Sequence, residues 1–306
     1  MHNPCRPHCF RNGGIPVDNL ARSLGGESRR SQVRQSSGAR VIACLTAALA
    51  ACMLWIAEAA AQTRIDLELV IAVDVSLSMD LDEQRLQREG YVAALRDAEI
   101  HKAIVSGAHG RIAIVYMEWA GPHWQSVIVP WTVVDGPEAA RQFADKLEAQ
   151  PITRERWTSI SGALQFAKVL LAGSGAAGVR RVVDVSGDGP NNAGPPVLAV
   201  RDALLAEGIV INGLPIMLKA ASPSFFDLSD LDRYYVSCVI GGAGAFMLPV
   251  KHVAELKEAI RRKLLLEISG LGLPPHVVPV QTAPPAAYDC MIGERQWRWY
   301  LDRGPN

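Results

Sequence analysis

Between Leu67 and Val73 the chain is apolar at every position but Glu68, and the run stops at Asp74. A strand that alternates apolar and polar residues shows one face to water. A strand apolar throughout is covered on both faces, the habit of parallel sheets held between helix layers. The rest of the chain supplies those layers. Leu86, Val92, Ala93, Leu95, Ile100 and Ile104 recur at helical spacing, behind an Asp80 or Asp82 cap with Glu83 three residues after Asp80. Arg111–Trp119 and Ser126–Val134 read as strands joined over Gly121-Pro122. Helices are expected at Glu138–Ala149, Ile160–Leu171, Pro196–Glu207 and Val250–Ile268, and strands at Val179–Ser186 and Ile209–Met217. This alternation predicts an α/β fold: a Rossmann-like open, mostly parallel sheet with one antiparallel edge strand and helices on both faces. In such sheets ligands bind beyond the carboxyl ends of the strands.

The chemistry sits at those ends. Asp74, Ser76 and Ser78 occupy alternate positions where the first strand runs out, so an extended chain points all three the same way. One carboxylate and two hydroxyls suit a small hard cation, and Mg²⁺ prefers such an oxygen shell and keeps some of its waters. Asp and Ser also gather at strand ends for turn reasons alone. Two further residues add weight. Thr158 precedes an apolar helical run, and Asp188 closes Arg181-Val-Val-Asp-Val-Ser-Gly-Asp188 after the later strand.

Asp74-x-Ser76-x-Ser78, followed in order by Thr158 and Asp188, resembles the metal-ion-dependent adhesion site of von Willebrand factor type A domains. The likeness covers roughly Asp66 to Ser269, and among such domains it looks most like an exported bacterial group. The resemblance implies a binding module and no enzyme. It implies that Ser76 and Ser78 touch Mg²⁺ (or Mn²⁺), that Thr158 can join or leave the shell, and that Asp74 and Asp188 act largely through water. It leaves one position for an Asp or Glu of a protein partner. Trp119, Arg156, Asn191 and Asn192 are the candidate rim contacts for that partner.

Three segments are expected: an N-terminal extension with a leader over 1–61, the type A-like domain over 62–270 and a C-terminal tail over 271–306. Val41 to Ala57 is a 17-residue apolar run after Arg40, and Ala57-Glu-Ala-Ala-Ala61 offers an Ala-x-Ala cleavage site. The rivals to a cleaved signal peptide are an uncleaved membrane anchor at 41–57 and a lipid anchor at Leu49-Ala-Ala-Cys52. Export to a periplasmic or secreted location follows from the leader. Removing it leaves Cys238 and Cys290, an even pair for a disulfide in an oxidising compartment, or else two buried thiols.

The formal charge is zero, but residues 1–61 hold seven of the 31 basic and three of the 31 acidic residues. The remainder is mildly acidic, with no basic stripe for nucleic acid. Catalytic inventories come up empty: Gly-x-Ser-x-Gly, His-Glu-x-x-His and Walker A are all missing from the sequence. The alternatives are a metal-dependent hydrolase built on Asp74 and Asp188, and a structural envelope protein with a metal-free, degenerate site. Asp184 stands inside an apolar strand, where an unpaired carboxylate is costly; it faces solvent, finds a partner, or supports the metal loops.

Overall fold

The computed structural model describes residues 62–218, 226–270, 278–279 and 288–303. The expected leader, its cleavage site and Cys52 lie outside these residues. In chain order the elements are β1 (Thr63–Asp74), α1 (Leu81–Leu95), α2 (Ala98–Val105), β2 (Ile112–Trp119), β3 (Gln125–Val134), α3 (Pro137–Glu148), α4 (Ile160–Ala172) and β4 (Ala176–Gly187). Then come α5 (Val197–Ala206), β5 (Val210–Pro215), α6 (Leu231–Tyr234), β6 (Phe246–Met247), α7 (Leu256–Ser269), β7 (Val278–Pro279) and α8 (Ile292–Arg303).

The strands form one sheet in the order β3-β2-β1-β4-β5-β6-β7. β1 lies inside the sheet, parallel to both β2 and β4. β3 is the expected antiparallel edge, and the two-residue β7 adds a second antiparallel pairing at the far edge. The apolar run of β1 serves two cores at once. Leu67, Leu69, Ile71 and Val73 pack with α1, α2, α3 and α7 on one face. Val70 and Ala72 pack with α4, α5 and α6 on the other.

The local signals worked as read at β1 and α1. Asp80 Oδ1 accepts from Asp82 N and Glu83 N, each at 2.8 Å, while Glu83 Oε2 accepts from Asp80 N at 2.9 Å. The helical stretch after Asp80 is two helices rather than one. Asp97 accepts from Glu99 N at 2.7 Å and caps a new helix. The helix expected at Val250–Ile268 starts later than its apolar pattern, because Val253–Glu255 forms a single 3₁₀ turn before α7.

Asp184 has a partner. It is fully buried in β4 and pairs with Lys263 of α7, which also donates to Glu267 at 2.5 Å. Asn212 of β5 donates to Glu267 at 3.0 Å, so the cluster ties the last long helix to two strands. Cys238 and Cys290 form a disulfide across 52 residues with Cα atoms 5.5 Å apart, which joins the C-terminal segment to the π turn after α6.

Candidate metal centre

Asp74 ends β1, and Asp188 follows the last residue of β4. The two strands are parallel neighbours, so their loops leave the same sheet edge side by side. Asp74 Oδ1 accepts from Ser76 N at 2.7 Å, which turns the chain and sets the two serines. Ser76 Oγ and Ser78 Oγ share a hydrogen bond at 2.6 Å, and Ser78 Oγ donates to Asp188 Oδ1 at 2.6 Å. A continuous run of oxygens thus links Ser76, Ser78 and Asp188, and the Ser76 backbone N–H ties Asp74 to it.

The third loop is fixed from both sides. Glu155 N donates to Val75 O at 2.9 Å and Leu77 N to Glu155 O at 2.8 Å, a short parallel bridge to the first loop. Thr158 N donates to Asn192 Oδ1 at 2.9 Å, and Asn192 N to Thr158 O at 2.8 Å. Beneath this loop Arg88 pairs with the buried Glu118, which also accepts from Thr153 Oγ1 at 3.0 Å. Burial raises the Glu118 carboxyl, and Arg88 and Thr153 pull it back. Ser76, Ser78, Thr158 and Asp188 all line one cavity, with Asp74 fully buried beside them.

The chemistry of this set fits a hard divalent cation. Asp74 Oδ2 is buried with no hydrogen-bond partner, which is costly for a carboxylate. Its carboxyl is pushed up to about 8, first by burial and then by the charge of Asp188. A cation here would satisfy the free oxygen and offset the two like charges. Room for that oxygen depends on Gly187, where a β-carbon would lie 2.8 Å from Asp74 Oδ2 and 3.1 Å from Tyr235 Oη. The donors are two carboxylates and three hydroxyls, a different kind of set from a nest of carboxylates and imidazoles. Among the described residues no group of three or more His, Cys, Asp or Glu could hold a metal.

The expected rim divides. Arg156 is exposed and Asn192 half-buried, and both line the cavity. Trp119 is not a rim residue: it is 0 % exposed and packs in the core with Ile160 and Leu164. It ends the strand, but the loops at 120–124 and 155–159 continue above it, so the strand end is not the edge of the domain. Asn191 is also 0 % exposed. Its Oδ1 accepts from Ser161 N at 2.9 Å and its Nδ2 donates to Glu294 Oε1 at 2.7 Å, so it braces the loop instead of meeting a partner.

One contributor was missed altogether. The tail folds back, and Gln296, Trp297 and Leu301 of α8 line the same cavity as the oxygens. Trp297 lies 4.5 Å, centroid to centroid, from Trp157 and 4.8 Å from Phe226. Trp157 holds φ of 74°, rare for a bulky residue, immediately before Thr158. At the head of α8 a β-carbon on Gly293 would collide with Asn191 O, so glycine is what lets the helix approach. The one signal in the sequence was the cluster Trp297, Trp299 and Tyr300 near Cys290.

Known proteins bear on the fold. A pilus adhesin, SpaC from Lactobacillus rhamnosus GG in an open conformation, superposes with a TM-score of 0.50 at 12% identity, over 68% of this chain and 31% of that one. Proximal thread matrix protein 1 from the mussel byssus, with a zinc-occupied MIDAS motif, scores 0.49 at 14% identity over 68% and 49%. A von Willebrand factor type A protein from Catenulispora acidiphila scores 0.47 at 12% identity over 67% and 43%. The chain spans half or less of the length of these proteins. No curated protein matches it in sequence. With the oxygen-lined loops at one edge of a von Willebrand factor type A-like fold and residues 64–272 matched by its family model, the chain belongs to the family described as "Protein of unknown function (DUF1194)".

Proposed function

We propose that this protein is an extracytoplasmic binding module that holds Mg²⁺ (or Mn²⁺) through Asp74, Ser76, Ser78, Thr158 and Asp188 and captures a protein partner through that metal. The observation that carries the reading is the buried, unsatisfied Asp74 Oδ2 beside Asp188 and the linked serine hydroxyls. Bound metal would supply an electrophilic point for an incoming carboxylate. The protein's own part is to fix the oxygens: Ser76 N orients Asp74, Ser78 orients Asp188, and Asn192 holds the Thr158 backbone. All donors are oxygen, which favours a hard ion over zinc. The mussel protein's zinc shows that a site of this name can take that ion in another chain.

Metal that binds only the folded state raises stability by RT ln(1 + [L]/Kd). Millimolar Mg²⁺ is therefore expected to raise the melting temperature, and EDTA to reverse it. Partner capture from an envelope extract is expected to stop in EDTA. An unchanged melting temperature with Mg²⁺ and Mn²⁺, together with capture that survives EDTA, would sink the reading in favour of a structural role.

A further inference from the structure

The cavity above the oxygens is about 680 Å³, within the range that holds a drug-sized ligand or a few residues of extended chain. Its two halves differ in kind. The floor is Ser76, Ser78, Thr158 and Asp188, and the walls include Trp157, Phe226 and Trp297. The floor comes from the sheet edge, and one wall comes from α8, which the Cys238–Cys290 disulfide and the Asn191–Glu294 hydrogen bond hold in place. The lining also holds two exposed apolar side chains: Leu77 is 48 % exposed on the first loop and Leu301 63 % exposed on the helix.

We propose that this cavity selects an extended peptide segment of the partner in which an Asp or Glu is followed by a bulky apolar residue, with α8 supplying the apolar half of the recognition. The inference rests on the metal-dependent reading above and narrows its partner. A carboxylate alone would use only the floor. The aromatic walls reward an apolar group joined to it. The helix standing beside the floor disfavours a broad, flat protein face, whereas an extended segment reaches past it. Leu77 and Leu301 add exposed apolar lining on opposite elements, more than a small free acid would cover at once.

The test compares two labelled hexapeptides, Gly-Ser-Asp-Phe-Ser-Gly and Gly-Ser-Asp-Ser-Ser-Gly, on the full chain in Mg²⁺. The Phe peptide is expected to bind about tenfold tighter or more, the value of burying one aromatic side chain. Trp297→Ala is expected to bring the two within about twofold while the Mg²⁺-induced melting shift persists. Leu301→Ser, at an exposed position, is expected to narrow the gap without touching the fold. Equal binding of the two peptides, or discrimination that survives both variants, overturns the proposal while a persisting Mg²⁺ shift leaves the metal reading standing. Binding of 3-phenylpropionate as tight as the Phe peptide overturns the peptide assignment in favour of a small free acid. Loss of the Mg²⁺ shift in the wild-type chain overturns the metal reading itself, and this proposal with it.

Discussion

Asp74 is placed where a carboxylate is hardest to keep without a cation. It is 0 % exposed, one oxygen is unsatisfied, and Asp188 shares its surroundings. In the metal-free protein an unsatisfied buried polar group of this sort costs about 1–3 kcal/mol. Asp74→Asn keeps the shape and removes the charge. In EDTA it is expected to melt no lower than the wild type, and to lose the Mg²⁺-induced rise entirely. Differential scanning calorimetry with and without Mg²⁺ reads both at once. A variant that melts well below the wild type in EDTA would show that the carboxylate serves the fold rather than the ion. Asp188 and Ser78 belong to the same unit through their 2.6 Å hydrogen bond, so effects at these positions are not expected to add.

At the scale of elements, α7 is joined to the sheet by a buried cluster rather than by apolar contact alone. Burial first, then the Asp184 charge, pushes Glu267 up to about 7, with Lys263 and Asn212 opposing. Burial also raises Asp184 against the pull of Lys263. Both carboxyls therefore hold protons in the folded chain at a pH where the unfolded chain has released them. Between the ordinary Glu value of 4.5 and about 7 the native state binds more protons, so stability falls as pH rises through that window and levels off above it. Glu267→Gln is expected to lessen the fall, read as urea-unfolding stability at about pH 5 and pH 7.5 for both proteins. An identical fall in the two would mean that Glu267 ionises in the fold as it does in the open chain. None of this was legible in the sequence beyond the oddity of Asp184. Its partner lies 79 positions away on a helix whose other residues read as an ordinary apolar face. β1 and its Asp-x-Ser-x-Ser end were legible because strand period and oxygen chemistry are both local. α8 was not, because Gly293 is its one buried residue and contacts from far along the chain fix its place. Its seat is set by a disulfide, an aromatic contact and a glycine.

For the whole molecule, the sheet and its two helix layers follow from strands apolar on both faces, and the site follows from two parallel strands ending together. No helix among the described residues is long and apolar enough to cross a membrane. In the proposed extracytoplasmic setting the mature chain is expected to begin near Gln62, after Ala-x-Ala. N-terminal sequencing of protein recovered outside the cytoplasm checks this, and a first residue well upstream would favour the anchor at 41–57. β1 pairs with β4 from Thr63 onward.

The tie between Cys238 and Cys290 gives the molecule a sense of where it is. In a reducing compartment the oxygens of Asp74, Ser76, Ser78 and Asp188 can already be in place, since the hydrogen bonds among them join the ends of β1 and β4. The helix that walls them has no covalent hold there, and only its noncovalent contacts keep it near. Oxidation adds the hold, and with it a closed loop of chain that is costly to reopen. Selectivity on the peptide pair, measured before and after reduction, would show how far this chemistry ripens the binder. A chain made in one compartment and needed in another would then stay indiscriminate, and weak, until it arrived.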